Sequence, residues 1–153
     1  LMRKKFEAKR NHLLLCIDES KELPAAIDYA CNNAEENNYG LILLYVIEEE
    51  NFRHWKGVES IMREEQKSQA KEVLDKHLKY ISENYSLNTT SQIKRGEKLE
   101  MILKVLNNKK LNIKNLILGL AMDDPENNKI ISSLTSNLRK KLTLPITIVP
   151  GNI

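Results

Sequence analysis

Cysteine is nearly absent from this chain, with two among 153 residues. Cys16 falls within the apolar run HLLLCI and Cys31 on the apolar face of a helical pattern. Both are expected as small buried hydrophobes, which excludes a disulfide framework and suggests a reducing compartment. Long hydrophobic runs are missing as well. No stretch approaches the ~20 apolar residues of a membrane span, and the opening LMRKKF meets an apolar stretch too short for a signal-peptide core. A cytoplasmic protein with no membrane partner is expected. His12, His54 and His77 lack ligand spacing such as i and i+4, so no metal site is predicted. No carboxylate pair stands out as general acid and base, and a thiol inside a buried strand is badly placed for attack. The residues therefore name no catalytic group, and the chain reads as a non-enzyme.

Charge of one sign is scarce too. The 24 basic and 21 acidic residues are interspersed and leave a net charge of +3, a pattern that describes solvated faces. Two basic clusters remain. MRKKFEAKR reads as a solvated arm, giving an arm over residues 1–10 and one domain over residues 11–153. Arg139 to Lys141 complement a helix C-terminus, and a nucleic-acid partner is not expected. One domain of this length hides ~70% of the surface its unfolded chain exposes, so it builds a core without staples.

What the chain does have is alternation. NHLLLCI (11–17) is a continuous apolar run of strand length, as expected of a parallel strand covered on both faces. The next segment offers Ser20 as a helix cap, Pro24 near the first turn and apolar positions at 23, 26, 27, 30, 31 and 34. Gly40 is expected to end this helix, and LILLYVI (41–47) is a second buried strand. Apolar positions at 58, 61, 62, 73, 74, 78, 81 and 85 predict a long helix from Val58 to Tyr85. TTSQIK reads as a polar edge strand, and EKLEMILKVLNNKK as a third helix through 99, 102, 103 and 106. IKNLILG is a fourth strand, Ser132 to Leu142 a fourth helix and LPITIVP a fifth strand. Strict alternation with long crossovers implies a parallel sheet with helices on both faces.

In such sheets ligands bind beyond the carboxyl ends of the strands, where strand order reverses. Two connections there carry chemistry. Asp18 to Ser20 follow the first strand, and GLAMDDPENNKIISS (Gly119 to Ser133) follows the fourth, far longer than the ~4–6 residues usual for a connection. Asp18, Ser20, Ser132 and Ser133 each suit helix capping, and the amides that open a helix also favour an anion.

These residues resemble the universal stress proteins, five-stranded α/β domains of the adenine-nucleotide-binding kind, over about residues 10–151. LLLCIDESKELPAAIDYA is similar to the family's opening strand and helix, LILLYVI to its second strand, IKRGEKLEMIL to the turn and helix after its third strand, and LPITIVPG to its closing strand. ENFRHWKGVESIMREE, with His54 and Trp55, is similar to one bacterial branch and is read as a packing segment. The resemblance implies a Rossmann-like sheet in order 3-2-1-4-5. It places Asp18 against the nucleoside, Val46 in the adenine pocket, Leu118 and Gly119 near the adenosine, Met122 and Ser132 near the phosphates, and Ser133 at the terminal phosphate. The family's phosphate motif is Gly, two residues, Gly, nine residues, Gly, then Ser or Thr. Here the register holds as Gly119, Met122, Ser132, Ser133, with two of the three glycines replaced.

The implied function is a dimeric stress-response module whose degenerate site requires no cofactor and takes ATP or AMP weakly or not at all. The homodimer would form through Pro145 to Pro150, with an unidentified protein as a further partner. A functional ATP- or AMP-binding regulator and a slow ATP hydrolase are the alternatives.

Overall fold

The most apolar runs of the sequence form the middle of the sheet, and the polar run forms an edge. The computed structural model describes residues 10–18, 21–48, 59–120, 132–133 and 144–150. Its elements are β1 (His12–Cys16), α1 (Leu23–Asn37), β2 (Gly40–Ile47), α2 (Glu59–Asn84), β3 (Thr89–Arg95), α3 (Lys98–Leu106), a 3-10 turn (Lys109–Leu111), β4 (Ile113–Leu120) and β5 (Ile146–Pro150). The strands form one sheet in the order β3-β2-β1-β4-β5, with all four pairings parallel. This is the fold that the alternation and the resemblance imply. Ser132 and Ser133 are helical. The rest of the expected fourth helix lies outside the described residues, as do residues 1–9 of the arm, Ser20, His54, Trp55, Val58 and Met122.

Alternate side chains of β1 enter two cores. Leu13, Leu15 and Ile17 pack with α1 and with Leu74 and Ile81 of α2. Leu14 and Cys16 pack on the other face with Ile102, Val105 and Leu106 of α3. Each fully buried leucine is worth about 1.5–3 kcal/mol, so a central strand with apolar residues on both faces is what the topology demands. The six apolar positions predicted for α1 are all buried. Among the described residues, no helix is long and apolar enough to cross a membrane.

Three local expectations are corrected. The cap position of α1 belongs to Glu22, not Ser20, and no side chain caps there. Pro24 sits in the first turn as expected, and because proline has no N–H, one of the amides a cap would satisfy is absent. The helix ends at Asn38, in the left-handed conformation (φ 56°), while Gly40 opens β2. Asparagine tolerates that conformation, and Tyr39 N closes the turn onto Ala34 O at 2.9 Å. Gly40 is needed for space: a Cβ there would lie 2.7 Å from His12 Cδ2.

The third correction concerns α2. Ile61, predicted on its apolar face, is 65% exposed, and Ala70 is buried instead. The helix has 26 residues, about 39 Å at 1.5 Å per residue. Strand β3 has 7 residues, about 23 Å. The first turns of α2 therefore overhang the carboxyl edge of the sheet, and Ile61 has no strand to cover.

Candidate functional site

Connections through α1 and α2 carry the chain from β1 outward to β3, and the connection through α3 brings it back past β1 to β4. Strand order therefore reverses at β1 and β4. Their ladder ends at Leu15↔Ile117, whereas β1 and β2 stay paired through Cys16↔Leu44 and a further Ile17 N–H to Leu44 O bond of 2.8 Å. Beyond Ile117 the two central strands part, and a cleft opens at the carboxyl edge.

Four of the expected site residues come to that edge. Asp18 is half-buried immediately past the end of β1. Val46, near the carboxyl end of β2, packs into the same cluster as Cys16, Leu118 and Leu99. Leu118 is buried, and so is Gly119, which pairs with Val149 of β5. Ser132 is exposed and Ser133 half-buried, both in helical conformation. Met122 lies outside the described residues, so only the strand-borne half of the expected constellation is brought together here.

Lys98 was not singled out from the sequence. It opens α3 just beyond Gly96, which holds φ +146° and donates its N–H to Ile47 O at 3.0 Å. A side chain at Gly96 would be strained by that φ and would crowd Met101 Cε at 3.2 Å. Burial pushes the Cys16 thiol up to about 12, while the Lys98 charge pulls it down and the Asp18 charge pushes it further up. Charges of both signs therefore act on the end of β1. Glu97 caps α3 in extended conformation without a side-chain bond, and Glu100 lies in the first turn, so Lys98 stands between two carboxylates at the helix start. The signal in the sequence is a cation at a helix start, where the dipole disfavours it.

Arg95 ends the edge strand β3. Its Nη1 donates to Gln66 Oε1 at 2.8 Å and its Nη2 to Arg63 O at 3.1 Å, fixing the overhang of α2 to the end of β3. The chemistry of the edge suits binding. Cys16, protonated and buried, offers no thiolate. Among the described residues, no group of three or more His, Cys, Asp or Glu side chains is placed to hold a metal ion.

A parallel five-stranded sheet with its cleft at the β1/β4 reversal defines a Rossmann-like domain. The model of the universal stress protein family matches residues 9–150, and the chain belongs to that family. Solved structures with this fold include UspA from Lactobacillus plantarum, 19% identical with a TM-score of 0.71, over 94% of this chain and 99% of that one. A family protein from Arabidopsis thaliana with AMP bound is 13% identical with a TM-score of 0.64, covering 93% and 92%. A universal stress protein in complex with cAMP is 13% identical with a TM-score of 0.54, covering 93% and 98%. Among curated proteins, none matches the chain significantly.

Proposed function

We propose that this protein is a stress-response module with a degenerate adenine-nucleotide site: it binds an adenosine monophosphate weakly, binds ATP more weakly still, catalyses no reaction and works as a homodimer. One observation carries the reading. Asp18, Val46, Leu118 and Gly119 gather at the cleft, while Met122 and Ser132 replace two glycines of the phosphate motif. The nucleoside half of the site is retained and the polyphosphate half is not. Glycine serves a phosphate loop because bare backbone approaches the oxygens and adopts positive φ, and neither Met nor Ser does this freely. The ligands of two structural neighbours, AMP and cAMP, each carry a single phosphate group, which supports the monophosphate over the triphosphate. Exposed Ile148 on the edge strand β5 supports the dimer.

Two measurements test the proposal. Mass spectrometry of the freshly purified protein identifies any retained nucleotide, and calorimetry ranks AMP against ATP. Micromolar ATP affinity would replace this reading with that of an ATP-binding regulator. Phosphate release over hours would favour a slow hydrolase. Absence of binding by either nucleotide would leave a dimeric interaction module.

A further inference from the structure

Charge is interspersed over most of the chain, but residues 101–122 hold lysines at 104, 109, 110 and 114 and no acidic residue. The fold gathers the last three at one corner of the amino edge, opposite the cleft, where α3 ends, the 3-10 turn Lys109–Leu111 follows and β4 begins at Ile113. Lys109, Lys110 and Lys114 are exposed, and so is Arg10, just before the neighbouring strand β1. All lie on the α3 side of the sheet. Lys114 alternates with Leu116 and Leu118, which pack against α3, and Arg10 Cδ approaches the position of a Cβ on Gly40, in line with Ile42 and Leu44 of that same face. The corner is also held in place. Asn108 Oδ1 accepts from Lys110 N–H at 3.1 Å and Asn108 O from Leu111 N–H at 3.0 Å. His12 Nδ1 donates to Leu111 O at 2.6 Å, and Asn112, in left-handed conformation, donates its side-chain amide to Asn11 Oδ1. Strand β1 thereby fixes the turn that carries the lysines.

We propose that this corner docks a short acidic segment of a partner protein in extended form, with its carboxylates on Lys109, Lys110, Lys114 and Arg10. No described neighbour neutralises these cations. Glu97 and Glu100 stand at the other end of α3, and Lys104, one turn beyond Glu100, is left out of the set for that reason. Glu35, Glu36 and Glu83 reach the amino edge on α1 and α2, which cover the opposite face, and Glu35 already accepts from Ser86 N–H at 3.3 Å. The described start of β5, Leu144 to Thr147, carries no charge. Among the described residues the ion pair joins Arg63 to Glu59 on α2, away from the corner. The dipole of α3 offsets about half a charge, and Lys114, in a strand, belongs to no helix end. Size selects the partner. Lys109 to Lys114 spans the reach of about six extended residues, whereas a duplex-binding protein makes ~6–10 phosphate contacts. The exposed large apolar side chains, Tyr29, Ile61, Tyr80 and Ile148, all lie on other elements, so the corner has no described ring to stack a base and no anchor to enter a bilayer. The site is separate from the nucleotide cleft and does not rest on what binds there.

Two-dimensional NMR of the labelled full chain tests the corner, with N-acetylated hexaglutamate as probe and hexalysine and inorganic phosphate as controls. Hexaglutamate is expected to give saturable shifts at Asn108, Lys109, Lys110 and Lys114, with half-saturation near ~1 mM, the value for a few exposed ion pairs at the upper end of their usual worth. Added salt should weaken it severalfold. Hexalysine should be silent, and phosphate far weaker at equal concentration. Lys109→Gln with Lys110→Gln should weaken the peptide about tenfold. Lys67→Gln with Lys71→Gln makes the same charge change on α2 and should leave the affinity within about twofold, because exposed charges beyond a Debye length are screened. Both double variants should melt like the parent. Absence of saturation well above the expected concentration, an equal loss from the α2 variant, phosphate shifts that match the peptide's, or tighter binding of a short DNA duplex or of phosphatidylserine vesicles at these residues would each overturn the proposal.

Discussion

Tyr85 donates its hydroxyl to Asp28 Oδ1 at 2.8 Å, joining the end of α2 to the middle of α1, and Tyr80 donates to the same oxygen at 2.7 Å. The two rings meet edge to face, with centroids 6.5 Å apart. The ring of Tyr85 also packs on the α1/α2 core. The Tyr85→Phe variant keeps that packing and removes one charge-assisted bond, so it should cost about 1.5–3 kcal/mol. Asp28→Ala should cost more than Tyr85→Phe, because both hydroxyls lose their acceptor. Urea unfolding of the variants and of the double variant measures the coupling. A fully additive pair would contradict the shared bond.

Gly40 and His12 define a second constraint. A Cβ at Gly40 would lie 2.7 Å from His12 Cδ2 and 3.0 Å from Arg10 Cδ. The imidazole is not free to swing away, since its Nδ1 bonds to Leu111 O at 2.6 Å. Gly40→Ala should therefore destabilise by roughly 1–3 kcal/mol, the usual cost of overpacking. Adding His12→Ala should recover much of that loss. If Gly40→Ala melts like the parent, the contact has relaxed at no cost.

Stability should fall at alkaline pH for a traceable reason. Cys16 and Cys31 are free and buried, as their sequence settings implied, and burial is the first cause raising each thiol from 9.0 to about 12. For Cys31 the charges of Asp28 and Glu35 add to it. Above pH 9 the unfolded chain releases thiol protons that the folded chain retains, so the unfolded state binds fewer protons and stability declines as pH rises. The contribution is whole below pH 9 and is lost progressively towards pH 12, at about 1.4 kcal/mol per pH unit for each thiol. Tyr85, also raised from 10.0, steepens the upper part of the window. Urea titrations below pH 9 and within the window give the slope. Cys16→Ala should remove about one thiol's share of it, and an unchanged slope would assign the effect elsewhere.

How far the sequence carried this picture depends on whether the cause was local. Burial on both faces makes β1 and β2 continuous apolar runs, and one buried stripe makes α1 periodic, so each could be read without neighbours. Ile61 misled because periodicity does not say where the sheet beneath a helix stops. Gly40 was assigned to the wrong element because its partner, the His12 ring, is distant along the chain. At the candidate site, Asp18, Val46, Leu118 and Gly119 came from a resemblance in register. Lys98 escaped notice because a surface cation resembles any other until the fold brings it beside the end of β1.

The edge strand leads to a prediction about assembly. Among the described residues β5 has β4 as its sole strand neighbour, and Ile148 is 37% exposed. An apolar edge strand invites pairing, and a second copy of the chain provides it by two-fold symmetry. Sedimentation at micromolar concentration should give the mass of two chains, and Ile148→Lys should give that of one. A parent of single-chain mass would contradict the homodimer.

The segment from Gly119 to Ser133 yields the sharpest prediction, because the weak ATP binding proposed above has two separate causes in its sequence, which respond to different experiments. One is steric. Met122 and Ser132 stand where glycines would let backbone amides approach the phosphates. Met122→Gly with Ser132→Gly should raise ATP affinity about tenfold, on the order of 1.4 kcal/mol, and raise AMP affinity less. The other is electrostatic. Asp123, Asp124 and Glu126 fall in the same stretch of sequence, and a unit charge about 4 Å from a phosphate charge costs about 1 kcal/mol in water and about 4 at a partly buried surface. Lys129 offsets a part of this. Repulsion between exposed charges is screened by salt over ~10 Å at 0.1 M. Added salt should therefore improve ATP binding to the double-glycine variant, the reverse of the dependence expected where cations dominate a phosphate site. Asp123→Asn with Asp124→Asn should abolish that reversal. Calorimetry across a salt series decides the matter: affinity that falls with salt in every variant would show that the acidic residues do not face the phosphates, and an unchanged affinity after glycine restoration would remove the steric cause.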